Sequence, residues 1–556
     1  MLTQKFNRQP ILTPQASFSF LIMLLFFLRF IVVSDTEIVG APADTEGLAR
    51  GVLCVHWFCG GDPMRPPLLA LLGALVRVTG LPWRLVLEAI FLGAVFVLSR
   101  EVRDASTQVV GRGLGTVAGG VAAAILLFHP YTIRSFTEFY REPLILCLYV
   151  LLFSVLLRIF RQEAPHCVKN PALWLFGLLY AAIAFTREGE AIILAPLLIM
   201  TVSVVGWRGW VAFRRSQVRF IPAMLPSLAP VIVWKAVAMA VFLVNLAVWR
   251  LPDANGLFPA YKALLSAVHR IKVDDAVRYA PATRQSFAVA LRLSPTFAEF
   301  GQLFIEDSEN IQILRLHSSY FVGRMEIDPS RTFWGLHNGV RSHYGSDDRL
   351  IREKLLAAAG EINAALDHGD YPAHHPALPY PFDANWGHWL PLYPAALWRD
   401  IGRMAWTIGD DNGPAARPDY RPPDIPDLFD RALNRRIALV SDQFSGWRSQ
   451  LRQHIDGFYR PLSAVLLAVT LMIGVIGGMR TARAPLSPPI QMASLAVGVW
   501  LAALGWRIAL YAVLSVSVAP VARYQIFAAP LFVVALIAGA LVAGVALGRR
   551  TRLKIS

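Results

Sequence analysis

The stretch SDTEIVGAPADTEGLARG, Ser34 to Gly51, follows the apolar run ASFSFLIMLLFFLRFIVV without a break. It sets Asp35, Glu37, Asp44 and Glu46 close behind a hydrophobic segment. A carboxylate held just outside a bilayer can serve as a general base toward a hydroxyl. The competing reading is a solvated acidic loop, and Asp44 also stands where it could cap the helix-prone GLARGVL. Four further places put charge beside apolar runs. HPYTIRSFTEFYREPL carries Arg134, Glu138, Arg141 and Glu142, and AFTREGEAIILAP carries Arg187 and Glu188. Arg65 opens an Arg-Pro-Pro, and VARYQIFAAPL holds Arg523 and Tyr524. Charge near hydrocarbon is costly and normally has a purpose or a partner. Arginine's planar fork matches phosphate, so acids and arginines on one face suit phosphate recognition beside a carboxylate base. Each has a plainer role: Arg187 with Glu188 as a structural ion pair, Glu142 in an intrahelical pair, Arg523 and Tyr524 as interfacial anchors.

What must position these residues is a membrane. Of 556 residues, 55% are hydrophobic and 16% charged, and the mean hydropathy is +0.47. Apolar runs near 16–34, 83–99, 114–130, 141–160, 172–186, 189–206, 227–249, 461–479, 489–514 and 525–548 approach the length a bilayer demands. The fold class expected is therefore an all-α polytopic membrane protein with about ten transmembrane helices. The first run is long and lacks a small-residue cleavage site, so it reads as a retained span rather than a signal peptide.

Basic residues fall in loops of one parity: Lys5 and Arg8; Arg100, Arg103 and Arg112; Arg158, Arg161 and Lys169; Arg208, Arg214, Arg215 and Arg219; Arg480 and Arg483; then Arg549, Arg550, Arg552 and Lys554. By the positive-inside rule both termini are cytoplasmic and the acidic loop is outside, as expected in a bacterial inner membrane. The same distribution accounts for the net charge of +15 without nucleic acid. Glu88 and Arg507, inside spans, are expected to pair within the bundle.

Three parts follow: a membrane module over 1–249 with a first outer loop at 35–82, an extracytoplasmic, mainly helical domain over 250–460, and a three-span module over 461–556. Pro66 to Pro82, apolar but short and bracketed by prolines, reads as an interfacial or re-entrant helix. In the outer domain AYKALLSAVHRI, ATRQSFAVALRL and EKLLAAAGEINAALDHG have helical periodicity. YPAHHPALPYPFDANWGHWLPLYP, rich in Pro, Trp and Tyr, is expected as an ordered loop on the membrane surface. Its histidines fit interface packing or a sugar platform. Cys54 and Cys59 could form a short disulfide or serve as two small apolar residues. No Cys/His array has structural-zinc spacing.

The order of these motifs carries a resemblance. A span is followed by an outer loop with Asp-x-Glu-Gly, then Arg-Pro-Pro and a leucine-rich helix, Glu-Pro-Leu at the fourth span, Thr-Arg-Glu-Gly at the sixth and Arg-Tyr near the last. This resembles the GT-C superfamily of integral membrane glycosyltransferases, which includes protein O-mannosyltransferases and aminoarabinose transferases. The likeness covers roughly residues 16 to 249. It implies a polyprenyl-phosphate sugar as donor and transfer on the extracytoplasmic face to a glycan, lipid or protein hydroxyl. It also implies Asp44, with Glu46 beside it, as the catalytic acid of the first loop, and Glu142 as the second acidic position. Some members hold a divalent metal between such acids and others do not, so a metal is left open. Arg65, Arg187, Arg523 and Tyr524 are then candidates for the donor phosphate, and Asp35, Glu138 and Glu188 secondary candidates. Direct displacement would invert the anomeric centre. Two rivals stand beside this reading. A lipid-linked polysaccharide polymerase or ligase would rely on Arg324, Arg331, His337 and Arg341 in the outer domain. A transporter would carry ionisable groups near the midplane and broken helices.

Overall fold

The computed structural model describes residues 14–33, 52–53, 68–136, 141–162, 169–187, 189–216, 219–249, 257–273, 282–306, 329–345, 347–375, 390–406, 488–517 and 528–539, with isolated positions between 450 and 465. Among these the chain is helical throughout, apart from one isolated antiparallel bridge, Ile271 to Ala373.

The membrane part begins with α1 (Pro14–Val33), α2 (Leu68–Thr79), α3 (Trp83–Val110) and α4 (Arg112–Phe128). A short α5 (Pro130–Ser135) leads to α6 (Arg141–Arg161) and α7 (Pro171–Ala184). One turn of helix, α8 (Glu190–Ile193), precedes α9 (Ala195–Ser216), and α10 (Phe220–Met224) leads through a 3-10 turn into α11 (Ala229–Trp249). The segment between α11 and the next long apolar helix supplies α12 (Phe258–His269), α13 (Arg284–Leu293), α14 (Pro295–Glu306), α15 (Pro329–Tyr344), α16 (Asp348–His368) and α17 (Tyr393–Trp406). The long α18 (Pro488–Ser517) and an apolar α19 (Ala529–Gly539) follow.

Five helical stretches are long and apolar enough to cross a bilayer: Gln15–Val33, Arg141–Arg161, Ala195–Arg215, Phe220–Val244 and Ser494–Val513. A sixth counts if α2 and α3, bent by 113° at their junction, act as one broken span. That bend matches the interfacial or re-entrant helix expected before Pro82. The expected ten spans are thus reduced among the described residues. The runs at 114–130 and 172–186 form helices of 17 and 14 residues. At 1.5 Å per residue the shorter one is about 21 Å long, against a hydrocarbon core of about 30 Å. Residues 461–479 lie almost wholly outside the described residues, and 525–548 is described only at 528–539.

One continuous core joins α1, α3, α4, α6, α7 and α18, with α6 buried along nearly its whole length. In lipid there is little hydrophobic drive between helices, so close backbone approach by small residues does much of the work. A Cβ added at Gly119 would sit 2.7 Å from the Ser99 carbonyl oxygen, so α3 and α4 approach at a distance only glycine permits.

Helices α12 to α16 form a second core built on Tyr261, Leu264, Phe287, Phe297, Phe300, Leu336, Ile351 and Leu355. Here local signals agree with the fold. Thr283 and Ser286 form a capping box on α13. Asp347 caps α16 and Gly369, at φ +85°, closes it. The three helices expected in this segment are α12, α13 and α16.

Candidate functional site

The chemistry-bearing side chains within the described residues gather where α6 begins, α7 ends and α18 passes. Arg141 and Glu142 open α6 and are both buried. Placing a glutamate in the first turn is favourable because its charge faces the unpaired amides. After α7 the chain turns at Phe185–Gly189 and restarts as α8. Gly189, at φ +80°, holds the left-handed conformation that lets the chain reverse there. The turn brings Glu190, 0% exposed, to face Arg507 of α18, 1% exposed.

Glu190 and Arg507 form a two-pronged pair, Nη1 to Oε2 at 2.7 Å and Nη2 to Oε1 at 3.1 Å. The Tyr149 hydroxyl donates to Glu190 Oε2 at 2.6 Å and accepts from Arg507 Nη1 at 3.0 Å. Arg187 stands between the two glutamates, its Nη1 3.6 Å from Glu190 Oε1 and 3.8 Å from Glu142 Oε1. Those two separations are ion-pair distances, too long for good hydrogen bonds. Tyr149 lies seven residues into α6 from Glu142, so the network runs about 10 Å down from the helix start. Among the described residues Arg187 and Arg507 thus meet Glu142 and Glu190, with Arg141 also buried at the start of α6. Beside Arg507 the crevice lined by Tyr149, Ile193, Leu194, Trp500, Ala503 and Leu504 leaves no room for a water molecule.

The segment between α1 and α2 is held at three points, the last of them in this region. Arg84 of α3 donates to the Val33 carbonyl at 2.8 Å, fixing the end of α1 from which the loop departs. Val52 is buried in the membrane core, and Arg77 of α2 donates to the Leu53 carbonyl at 3.4 Å. The Leu68 amide, where the loop ends, donates to the Phe185 carbonyl at 3.1 Å in the turn that carries Arg187. The Arg-Pro-Pro segment ends directly before Leu68.

Of the residues expected from sequence, Glu142 and Arg187 come together in this network. Asp35, Asp44, Glu46, Arg65, Glu138, Glu188, Arg523 and Tyr524 lie outside the described residues, as do Cys54 and Cys59. Two residues the motifs did not single out are central. Glu190 stands two places after the glutamate of Thr-Arg-Glu-Gly, and Tyr149 is one aromatic among many in α6. Glu88 and Arg507 do pair within the bundle, with different partners: Arg507 with Glu190, and Glu88 with Arg29. Arg29, at the end of α1, escaped notice inside LLFFLRFIVV. Its Nε and Nη2 donate to Glu88 at 2.9 Å each, its Nη2 to the Thr132 carbonyl at 3.2 Å and its Nη1 to the Leu127 carbonyl.

The outer-domain residues of the polymerase reading have structural tasks where they are described. His337 is buried against the Tyr261 hydroxyl at 3.1 Å, and Arg341 pairs with Asp348 at 2.8 Å. Arg324 and the Arg331 side chain lie outside the described residues. His374 packs edge-on to His269 with ring centroids 5.5 Å apart. Burial, helped by His374, pushes His269 down to about 4, so His269 is neutral near pH 7. Among the described residues no group of three or more His, Cys, Asp or Glu is arranged to hold a metal. Comparison with protein-family models, with curated proteins and with solved structures finds no match.

Proposed function

We propose that the chain is a membrane glycosyltransferase that moves a sugar from a polyprenyl-phosphate donor to an acceptor hydroxyl on the extracytoplasmic face. The observation that carries the reading is the buried cluster of Arg187 and Arg507 with Glu142, Glu190 and Tyr149, at the turn to which the end of the first loop is hydrogen-bonded. Arginine's planar fork suits a phosphate, and Arg187, 3.6 and 3.8 Å from the two glutamates, is the arginine proposed to meet one. Asp44 takes the proton of the acceptor hydroxyl, whose oxygen attacks the anomeric carbon. The carbon–oxygen bond to phosphate breaks, and the polyprenyl phosphate leaves with its charge matched by arginine. One displacement inverts the centre.

The test uses purified protein in lipid with a polyprenyl-phosphate sugar or a nucleotide sugar. Consumption of the lipid-linked donor alone supports the proposal, and release of a nucleotide overturns it. Asp44→Asn keeps size and any capping role, and is expected to lower turnover about 10²–10⁴-fold, the usual worth of a positioned base. Asp35→Asn, in the same acidic cluster, is expected to cost far less. Equal small losses would make the loop merely acidic.

A second reading, a transporter, gains support from the Arg507–Glu190 pair, because it sits inside the bundle where α7 and α8 interrupt a helix. Solute flux into proteoliposomes without any change in a lipid-linked sugar would favour it.

A further inference from the structure

Helix α17 belongs to the long outer segment, yet it packs on α18 inside the stretch that crosses the membrane. The Tyr393 hydroxyl donates to the Ala509 carbonyl at 3.3 Å, and Ala396 packs on Ala512 with Tyr393, Leu397 and Val513 around them. Leu397 and Ile401 join the edge of the membrane core. Ala509 and Ala512 lie within Ser494–Val513, whose 20 residues span about 30 Å, the full hydrocarbon thickness. Ala509 is four residues inside that end, about 6 Å below it. The start of α17 is therefore below the level where α18 leaves the apolar layer.

Leu390, in the turn before α17, and Trp398 of α17 are large apolar side chains that are 54% and 67% exposed. We infer that α17 and the turn before it are half-inserted in one leaflet, with Leu390 and Trp398 in contact with acyl chains. Three features of the sequence agree with this placement. No charged residue occurs from Trp389 to Trp398, and the first ones, Arg399 and Asp400, come where the helix climbs out. Pro391 and Pro394 lack amide hydrogens, so a helix start in lipid leaves fewer donors unsatisfied. Trp398, immediately before the charged pair, is the residue type that favours the membrane interface. A water-exposed helix would gain nothing from such a face, and a soluble protein partner would be meeting it at the depth of lipid tails. The occupant is bilayer lipid, and the outer segment is tied to the membrane at a point remote from α12 to α16 in the chain.

The experiment places a nitroxide label at Leu390→Cys and, separately, at Trp398→Cys, in full-length protein with Cys54, Cys59 and Cys167 replaced by serine. Cys147 is kept, since it is fully buried and cannot be labelled. In phosphatidylcholine–phosphatidylglycerol vesicles, collisions with dissolved oxygen are compared with those of a water-soluble nickel chelate. Leu356→Cys on α16, an exposed position on the second core's surface, is the aqueous reference. The expected result is an oxygen-to-nickel ratio at Leu390→Cys several-fold above the reference, with Trp398→Cys between the two. Nickel-dominated collisions at both sites would overturn the insertion. A label immobilised and shielded from both reagents would overturn it too, because protein rather than lipid would then cover the face. Should Leu390→Cys fail to fold, Trp398→Phe decides: quenching of tryptophan emission by lipids brominated near the glycerol end must fall in that variant.

Discussion

The membrane bundle contains two arginine–glutamate clamps, and they are built differently. Arg29 meets Glu88 with two donors, spends others on the Leu127 and Thr132 carbonyls, and lies over the rings of Phe91 and Phe136 at 4.8 and 5.3 Å. Its charge is matched by one carboxylate and its donors by fixed acceptors. Arg507 is matched as well by Glu190 and Tyr149, but this pair belongs to a larger group in which Arg187 also reaches Glu190 and Glu142. The first clamp ties α1, α3 and the α4–α5 corner together, and its composition leaves nothing for a ligand to do. In the second, Arg187 stands 3.6 and 3.8 Å from two glutamates, longer than the two 2.9 Å bonds by which Arg29 meets Glu88.

The largest effect is expected where the second clamp would lose the carboxylate that meets Arg507 with two bonds. Glu190→Gln leaves Arg507 buried with a neutral partner there. Removing one partner of a buried pair typically costs about 3–5 kcal/mol. Thermal unfolding in detergent should show a loss of that order. Replacing both residues, Arg507→Met with Glu190→Leu, should recover most of the stability, since apolar residues of similar volume often replace a buried pair without cost. The recovered protein should remain without donor turnover. A double variant as active as the parent would remove the clamp from the proposed site.

A smaller loss is expected at the first clamp. Glu88→Gln keeps one acceptor for Arg29, and the two carbonyls and two rings stay in place. The loss is then that of hydrogen bonds to a charged group, about 1.5–3 kcal/mol, with donor binding unchanged in the protein that remains folded. A loss of donor affinity with full stability would show that both clamps serve the ligand.

The contrast between the clamps was only half legible in the sequence. Long apolar runs announced the membrane, and the amphipathic periods of α12, α13 and α16 announced the second core, because those signals are local. Arg507 stood out within LAALGWRIALYAVL, since an isolated charge in an apolar run needs a partner. Its partner did not stand out. Thr-Arg-Glu-Gly drew attention to Glu188, whereas the turn at Gly189 carries Glu190 inward, and that depends on a backbone angle no spacing rule encodes. The lengths of α4 and α7 were legible, because the runs expected at 114–130 and 172–186 end where His129 and Phe185 close these helices. The contact of Tyr393 with Ala509 joins residues 116 apart and has no local signature at all.

The smallest stability effect is expected at Arg187, and it separates the clamps most sharply. Arg187→Ala removes ionic contacts of 3.6 and 3.8 Å and leaves the two-pronged Arg507–Glu190 pair in place. A stability change of about 1 kcal/mol or less is expected, in the ordinary range for substitutions that open no large cavity. Binding should respond far more. One or two charge-assisted hydrogen bonds to a phosphate are worth about 1.5–3 kcal/mol, which is roughly a 10- to 100-fold loss of affinity for a polyprenyl-phosphate lipid. Arg187→Lys should recover part of that loss, keeping the charge but not the two-pronged geometry. Titration of each purified variant with a short-chain polyprenyl phosphate, beside its melting curve, measures both quantities. If Arg187→Ala melts as early as Glu190→Gln and binds the lipid as the parent does, Arg187 is part of the closure, and the second clamp is as complete as the first.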